Sequence, residues 1–334
     1  MPRQQAAPRK AATLKDVARE AGVSIAAVSY SLNGGGTIGE EVRTRVREVA
    51  ERIGYRPNRS AQAVRTGRTM SIGLIVPDLN NPYYPALAQA VERAARQAGY
   101  TVVLIDSSGS EADEIEAMRH LENHGVAGAI WCQTSTELAR AADDYQVPIA
   151  VIGSPGVAFD NVTADDEQGG RLAARHLLAL GHSRFGVLTG ASVPEGKDDR
   201  RAAFLDELKG RAEIRWEMKT PYSIDFDQRM VEKLAGRDVT AVLCGNDLIA
   251  ISVLRAAREL RITVPRDLSV VGFDDIPWAS IVTPALTTIN QPVGEMAAVA
   301  LTLLLDRIAE PTRPVRHFKV GVQLVERDST AALG

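Results

Sequence analysis

The stretch LKDVAREAGVSIAAVSYSLNG, residues 14–34, predicts two short helices joined by a tight turn. The first helix has an apolar stripe at helical spacing, formed by Leu14, Val17, Ala18 and Ala21. Gly22 follows the stripe, where a helix can end with positive φ, and Ser24 can cap the helix that comes next. Two helices that cross closely at a short turn are typical of a helix-turn-helix motif.

A third helix and an uneven distribution of charge extend this motif into a basic head. The helix is predicted over about residues 40–53, with an inward face made of Val42, Val46, Val49 and Ile53. Residues 1–70 contain 13 Lys and Arg against 6 Asp and Glu, a net charge of +7. The whole chain of 334 residues carries −3, so the remainder carries −10. A basic head on an acidic body indicates that the head alone binds a polyanion, and the three-helix pattern predicts that this polyanion is DNA.

The rest of the chain alternates between apolar strands and amphipathic helices, beginning with SIGLIVPD at residues 71–78. Strands are predicted at 71–76, 101–105, 127–131, 148–152, 184–189, 239–243 and 268–272. Helices are predicted near 83–98, 111–124, 135–143, 166–179, 198–209, 227–235 and 246–259. Such alternation predicts an α/β fold with parallel sheets and helices on both faces. Two such halves give a two-lobed body with a cleft between the lobes.

These patterns divide the chain into a basic tail that we expect to be disordered (1–12), a helix-turn-helix domain (13–56), a hinge helix with a linker (57–68) and the body (69–334). The first lobe is expected to contain about 69–160 and 292–322, and the second about 161–291 and 323–330. Pro57 ends the third helix, and Asn58 can cap a following helix through about Arg65. A helix that short is marginal in water, so we expect it to form only when packed or bound.

Polar and aromatic side chains follow three predicted strands: Tyr83 and Tyr84, then Asn246 and Asp247, then Asp274 and Asp275. Ligands of such folds bind at the carboxyl ends of the strands. Aromatic faces beside amide and carboxylate groups suit a small polar molecule. Two alternatives remain open. Asp247 and Asp275 can simply cap helices, and the tyrosines, including Tyr222, can belong to the cores of the lobes.

Motifs of enzymes and cofactor proteins are absent or misplaced. GGGTIG at 34–39 matches a nucleotide-binding glycine pattern, but it follows a helix rather than a strand, and Glu40 stands where a phosphate loop places Lys. Cys132 and Cys244 lie far apart in apolar, strand-like runs, which predicts buried, reduced thiols rather than a metal or redox site. The five histidines are scattered, so we expect neither an enzyme nor a bound metal or cofactor.

The N-terminal sequence bears on the compartment in which the protein acts. MPRQQAAPRKAAT has no apolar run of the signal-peptide type. No segment of the sequence approaches the roughly 20 apolar residues that cross a bilayer. We therefore expect a cytoplasmic protein without membrane contact, which argues against an exported solute-binding protein.

Stretches from the whole chain, taken in this order, resemble the LacI/GalR family of transcription regulators: TLKDVAREAGVS, YRPNRSAQAVRTG, IGLIVPDLNNPYY, HLLALGH, GNDLIA, VPRDLSVVGFDD and TPALTTINQP. The resemblance extends from Thr13 to about Asp328. It implies a homodimer whose heads enter adjacent major grooves of a pseudo-palindromic operator, with the hinge helices paired in the minor groove. It also implies a body similar to type I periplasmic binding proteins, which takes a small effector between its lobes. We expect repression as the default activity, because a dimer bound to a promoter blocks polymerase.

The resemblance implies DNA contacts by Thr13, Ser24, Ile25, Ala26, Ser29, Tyr30, Asn33, Tyr55, Asn58, Ala61, Val64 and Arg65. Ile25 and Ala26 can make only apolar contacts with bases, for example with a thymine methyl group, whereas Ser29 can bond a base edge or a phosphate. Tyr30 stands where the family commonly has Arg, so the usual bidentate guanine contact is missing. Val64 replaces the leucine that the family wedges between central base pairs, and it should unstack that step less.

The resemblance places Tyr83, Tyr84, Tyr222, Asn246, Asp274 and Gln291 along the effector cleft. Asp198, just before RRAAF, stands where sugar-binding members often have Arg. A carboxylate only accepts hydrogen bonds, whereas an arginine offers five N–H donors. Asp198 in place of Arg therefore favours an amine, a nucleoside or a neutral, hydroxyl-rich sugar over an acid as the ligand. A regulator controlled by a partner protein instead of a small molecule remains an alternative. No leucine-heptad extension follows the body, which predicts a dimer rather than a coiled-coil tetramer.

Overall fold

A computed structural model of the chain describes residues 12–33, 38–55, 69–133, 145–153, 158–191, 199–225 and 227–333. The chain forms two compact units, divided between Thr69 and Met70. The predicted hinge, 57–68, lies outside the described residues, and so do residues 1–11 of the predicted tail.

The first unit contains three helices, α1 (Leu14–Ala21), α2 (Ile25–Asn33) and α3 (Glu40–Arg52). Thr13 and Asp16 form a reciprocal cap at the start of α1. The Thr13 N–H donates to Asp16 Oδ2 at 2.9 Å, and the Asp16 N–H donates to Thr13 Oγ1 at 3.3 Å. Gly22 ends α1 with a φ of 66°. The helices enclose a core of Val17, Ala18, Ala21, Val28, Val46, Val49 and Ala50, which confirms the predicted three-helix head.

The second unit contains two six-stranded sheets, one for each lobe. The strands of the first sheet are β1 (Ser71–Val76), β2 (Thr101–Asp106), β3 (Ala129–Cys132), β4 (Ile149–Ile152), β5 (Asp160–Ala164) and β11 (His317–Val320). Those of the second are β6 (Arg184–Gly190), β7 (Glu213–Thr220), β8 (Ala241–Cys244), β9 (Ser269–Asp274), β10 (Thr287–Asn290) and β12 (Gln323–Val325). The strand orders are β11-β5-β4-β3-β1-β2 and β12-β10-β9-β8-β6-β7. All these pairs are parallel except β10 with β12, which are antiparallel.

Helices cover both faces of each sheet, as predicted. They are α4 (Tyr83–Gln97), α5 (Glu111–Asn123), α6 (Asp166–Ala179), α7 (Asp199–Leu208), α8 (Gln228–Ala235), α9 (Asp247–Glu259) and α10 (Val293–Ala309). In β1, Leu74 packs in one core with Leu87 of α4. The next residue, Ile75, points to the opposite face and packs in another core with Met118 of α5. No helix among the described residues is long and apolar enough to span a membrane.

The chain crosses between the lobes after β5, after β10 and between β11 and β12. Because β5 pairs with β4 in the first sheet, the first crossing follows residue 164, a few residues later than the expected boundary at about 160. The crossings bring segments of both lobes together at the carboxyl ends of the parallel strands.

The sequence prediction missed the helix α10 and the strands β5, β7, β10, β11 and β12. These strands are short, polar or at an edge, so they lack the continuous apolar run that marks a buried strand. In β10, Thr287 and Thr288 are completely buried although their side chains are polar. The predicted helix at 135–143 lies outside the described residues.

Candidate functional sites

The exposed face of α2 is apolar and carries no charge. Ile25, Ala26 and Tyr30 lie on this face, and 45% of Ile25 and 50% of Tyr30 are exposed. Ser24 lies just before the helix, and its hydroxyl accepts a hydrogen bond from the Ala27 N–H at 3.1 Å. The helix contains no Lys, Arg, Asp or Glu. Exposed apolar side chains that cluster on one face indicate a contact surface. This is the face that we expect to meet base edges.

Ser29 is much less accessible than Ile25, although it lies one helical turn later on the same side of α2. Only 7% of Ser29 is exposed. This geometry does not favour the expected bond between Ser29 and a base edge.

Two further predicted DNA contacts, Thr13 and Tyr55, stabilise the head itself. Thr13 Oγ1 donates to Asp16 Oδ2 at 2.7 Å, and Tyr55 packs partly buried against the core of the head. The Tyr55 N–H donates to the Ala50 carbonyl oxygen at 2.8 Å. The remaining predicted contacts, Asn58, Ala61, Val64 and Arg65, lie outside the described residues, as does the side chain of Asn33.

In the body, polar side chains from both lobes form a connected series that we call the interlobe chain: Tyr83, Gln291, Asp274 and Arg200. Tyr83 begins α4 in the first lobe, Gln291 lies in the crossing after β10, and Asp274 ends β9 in the second lobe. The Tyr83 hydroxyl donates to Gln291 Oε1 at 3.4 Å. Gln291 Nε2 donates to Asp274 Oδ1 at 2.6 Å. Direct hydrogen bonds therefore connect the carboxyl end of the second sheet to the first lobe.

Arg200, in the first turn of α7, supplies the cation of the interlobe chain. Its Nε donates to Asp166 Oδ1 at 2.8 Å, and its Nη1 donates to the Gly245 carbonyl oxygen at 3.0 Å. The same Nη1 lies 3.6 Å from Asp274 Oδ1. The guanidinium carbon lies 3.8 Å from the centre of the Phe273 ring. The Arg200 side chain is 25% exposed, so a ligand in the cleft can reach it.

Burial and neighbouring charges together set the protonation of the interlobe chain. Burial raises the pKa of Asp274 to about 7, although Arg200 and the bond from Gln291 act in the opposite direction. Burial alone would lower the pKa of Arg200, but Asp166 and Asp274 raise it, so the guanidinium stays charged. Burial, assisted by Asp274, raises the pKa of Tyr83, which stays a neutral donor. The site pairs a permanent cation with a carboxyl group that titrates near neutral pH.

Sequence reasoning missed Arg200 and considered Asp198 in its place. Asp198 lies outside the described residues, whereas Arg200 follows two positions later and supplies the cation that we expected to be missing. The sequence did contain a signal that Arg200 points inward. Arg200 lies about one helical turn before the apolar Phe204, so the two side chains share one face of the helix. Phe204 is completely buried against Phe185. The expectation of an amine ligand loses its basis, since it rested on an acid in the place of this cation.

Asn246 and Asp247 hold the backbone around the site. Asn246 Oδ1 accepts a hydrogen bond from the Ile249 N–H at 3.0 Å and caps α9. Asp247 Oδ2 accepts from the Ile276 N–H at 2.8 Å. The helix-capping role that we considered for Asp247 therefore belongs to Asn246, whereas the Asp247 carboxylate accepts bonds from outside its own helix.

Tyr84 and Tyr222 flank the carboxyl ends of the strands and are also half-buried members of the lobe cores. The Tyr84 ring meets Tyr83 edge-on, with ring centres 5.2 Å apart. Tyr222 lies so close to Gly190, at the end of β6, that a Cβ atom on Gly190 would overlap the Tyr222 ring. A small pocket opens within the second lobe at the ends of β6 and β8, lined by Gly170, Leu188, Thr189, Arg200, Gly245 and Phe273, among others.

The two cysteines are free and buried, which confirms the prediction of buried, reduced thiols. Burial raises the pKa of Cys132 to about 12. Within the described ranges, no three His, Cys, Asp or Glu side chains are grouped so that they could hold a metal ion.

Comparisons with known proteins connect the head and the body to described domains. Residues 13–58 match the model for bacterial regulatory proteins of the lacI family, and residues 174–330 match that for a periplasmic binding protein-like domain. The HTH-type transcriptional regulator MalR from Streptomyces coelicolor is 35% identical to this chain, over 96% of this chain and 96% of its own.

Solved structures show the same fold over nearly the full length. The lac repressor dimer bound to operator and the anti-inducer ONPF matches with a TM-score of 0.85 and 28% identity, over 97% of this chain and 100% of that one. The complex of the transcriptional regulator CelR with cellobiose matches with a TM-score of 0.69 and 27% identity, over 95% and 99% of the two chains. The resemblance predicted from the sequence motifs is confirmed. The chain belongs to the lacI family of bacterial regulatory proteins and is a DNA-binding transcriptional regulator.

Proposed function

We propose that the chain is a repressor that binds a pseudo-palindromic operator as a homodimer and is switched by a small polar effector between the lobes of the body. The interlobe chain carries this proposal, because its hydrogen bonds connect both lobes at the carboxyl ends of the strands. A ligand that enters there exchanges bonds with both lobes and can change the angle between them. The lac repressor structure, a dimer on its operator, supports the dimeric DNA complex. Such a regulator acts in the cytoplasm.

The effector that fits the site is a neutral, hydroxyl-rich molecule such as a sugar or a nucleoside. Arg200 offers N–H donors and Asp274 offers acceptor oxygens 3.6 Å away, an arrangement suited to neighbouring hydroxyl groups. The rings of Tyr84 and Tyr222 supply apolar faces. Asp166 and Asp274 already surround Arg200, so an acidic or phosphorylated ligand would meet carboxylates. The CelR–cellobiose complex supports a sugar.

The direction of the switch depends on which arrangement of the lobes the effector binds more tightly. An effector that favours separated hinge helices releases DNA and is an inducer. One that favours paired hinge helices is a corepressor. In either case, a dimer clamped on a promoter blocks polymerase, so the DNA-bound state represses transcription.

A thermal-shift screen of the full-length protein against sugars, nucleosides, amines and organic acids tests the proposed ligand class, with cellobiose and D-ribose among the sugars. A ligand at about 100 times its Kd adds roughly 2.7 kcal/mol to the free energy of unfolding. A sugar or nucleoside hit that disappears in Asp274→Asn and persists in Glu116→Gln, a control on the exposed side of α5, supports the proposal. Hits among amines or acids alone would contradict the proposed ligand class. If no compound in the library shifts the unfolding midpoint, a partner protein becomes the favoured signal.

A further inference from the structure

The turn that carries Asp274 has a strained backbone. Asp274 has a φ of 114° and Asp275 a φ of 55°, so two consecutive residues with side chains lie in the positive-φ region. Such a conformation persists only where surrounding contacts impose it. Because Asp274 belongs to the interlobe chain, the contacts that impose this turn also set the direction of its carboxylate.

Contacts outside the interlobe chain fix the turn from two sides. On one side, the Ile276 N–H donates to Asp247 Oδ2 at 2.8 Å. On the other side, the Asp275 carboxylate accepts from Arg327 Nη2 at 2.7 Å and from Asn290 Nδ2 at 3.0 Å. The bond from Arg327 joins two charged groups, and both side chains are about four-fifths buried. The hydrogen bond from Arg327 is therefore the strongest contact of the Asp275 side chain.

Arg327 is itself held firmly. Its Nη1 donates to the Leu286 carbonyl oxygen at 2.8 Å, and its backbone N–H donates to Thr287 Oγ1 at 2.9 Å. Two residues later, Ser329 is completely buried, and its hydroxyl donates to the Val270 carbonyl oxygen at 2.6 Å. The segment after β12 thus anchors Arg327 against the second sheet and makes it a rigid support.

We infer that Arg327 is a positioning residue of the effector site. It holds Asp275, and with it the left-handed turn that directs the Asp274 carboxylate into the interlobe chain. This role rests on the proposed function, because it belongs to the same site, but it does not place Arg327 in contact with the effector. Arg327 acts on Asp274 through the backbone of the turn.

Loss of Arg327 can act on Asp274 in two ways with opposite signs. The charged and titratable groups that face Asp274 are Arg200, Asp166, Tyr83, Tyr84 and Asp247. Removal of a nearby cation from an unchanged turn would raise the pKa of Asp274 further. Release of the turn would move Asp274 out of its buried position, and its pKa would fall from about 7 toward the ordinary value of 3.8. The sign of the change separates electrostatics from positioning.

The test is an NMR titration of the full-length protein carrying ¹³C at its aspartate carboxyl groups, with the Asp274 resonance assigned from Asp274→Asn. We expect the Asp274 midpoint to fall from about 7 toward 3.8 in Arg327→Met. It should stay in place in the control Arg316→Met, which removes a cation paired with Asp306 in the first lobe. A midpoint that is unchanged or raised in Arg327→Met would overturn the inference.

Glycine at position 275 provides a rescue that a merely structural role would not show. Glycine adopts a φ of 55° without strain and leaves no carboxylate unpaired, so Arg327→Met should not move the Asp274 midpoint in an Asp275→Gly background. An equal fall in both backgrounds would contradict the inference.

The rescue also keeps the test decisive if Arg327→Met alone does not fold. Folding of the double variant, with a midpoint near 7, supports the role of Arg327, and failure of the double variant to fold overturns it. These measurements need no ligand. A silent ligand screen would therefore contradict the proposed effector without affecting the result for Arg327.

Discussion

Most proteins bury their apolar side chains and expose their charged ones, and two regions of this chain do the reverse. The exposed face of α2 leaves apolar side chains in solvent, whereas the interlobe chain buries charged ones. On α2, Ile25 and Tyr30 are about half exposed, although the burial of apolar groups stabilises a fold. In the body, Asp274 is 7% exposed and Arg200 is mostly buried, although the desolvation of charge is costly. Both departures give up stability, and both coincide with surfaces where we expect a ligand.

The two regions differ in how far their residues depend on one another. Side chains on the exposed face of α2 project into solvent, so each can be changed with little effect on folding. Side chains of the interlobe chain are bonded to each other, so removal of one leaves its neighbours buried and unpaired. We expect substitutions in the body to change stability and ligand binding together, and substitutions on α2 to change DNA binding alone.

Arg200→Met should have the largest effect of the substitutions that test this difference. It leaves Asp166 and Asp274 close together without their shared cation. Removal of one partner from a fully buried ion pair costs about 3–5 kcal/mol. Because Arg200 is 25% exposed, we expect a loss of about 2–3 kcal/mol in the free energy of unfolding. Urea denaturation above pH 7 measures the loss.

The loss in Arg200→Met should become smaller below pH 7, where Asp274 takes up a proton. Arg316→Met, which removes an arginine of the first lobe, is the control and should lack this pH dependence. A loss in Arg200→Met of the same size at every pH would show that the two carboxylates do not repel each other.

Asp274→Asn should change how stability depends on pH. The pKa of Asp274 in the folded chain, about 7, lies above its ordinary value of 3.8. A group with a raised folded pKa stabilises the fold below its unfolded pKa, and this contribution is lost as pH rises through the folded pKa. The free energy of unfolding should therefore fall between pH 3.8 and about 7, and Asp274→Asn should reduce that fall. Parallel curves for the wild type and the variant would rule out this role of Asp274, and Glu116→Gln serves as the control.

Ile25→Ala should weaken operator binding about tenfold, equivalent to about 1.4 kcal/mol, because it removes an apolar contact with base edges. The thermal unfolding midpoint should not change, since Ile25 is 45% exposed. Fluorescence anisotropy on an operator selected from random DNA measures the affinity. Val315→Ala, at an exposed valine of the body, is the control. Unchanged affinity in Ile25→Ala would remove Ile25 from the recognition surface.

Val64→Ala should have the smallest effect, a reduction in operator affinity of a few-fold, because valine is already a small wedge between base pairs. This prediction rests on the family resemblance, since Val64 lies outside the described residues. Effector binding, measured by thermal shift, should be unaffected. Equal operator affinity in the variant and the wild type would exclude Val64 from the wedge role.

Much of the fold could be predicted because strands such as β1 are continuous apolar runs and the helices have regular periodicity. β10 could not, because its buried residues are threonines whose burial depends on distant partners. Thr288 Oγ1 donates to Asp247 Oδ1 at 2.6 Å, and the Thr287 N–H donates to Ser329 Oγ at 2.8 Å. Such tertiary hydrogen bonds leave no periodic signal in the sequence.

The candidate sites show the same limit. Tyr83, Asp274 and Gln291 could be predicted because strand ends and family motifs mark them, and the structure brings them together. Arg200 was missed because the segment GKDDRR is rich in charged residues. Several of them could be aligned with the position at which the family places its arginine. Arg327 could not be found, because it meets Asp275 across 52 positions of sequence.

The central claim is that a ligand in the interlobe chain controls DNA binding, and one affinity measurement tests it most directly. The operator dissociation constant is measured by anisotropy with and without the sugar or nucleoside found in the screen, in the wild type and in Asp274→Asn. We predict that the ligand changes the constant at least about tenfold, or about 1.4 kcal/mol, in the wild type and leaves it unchanged in the variant. Without ligand, the two proteins should bind the operator equally. A ligand effect of equal size in both proteins would contradict the claim.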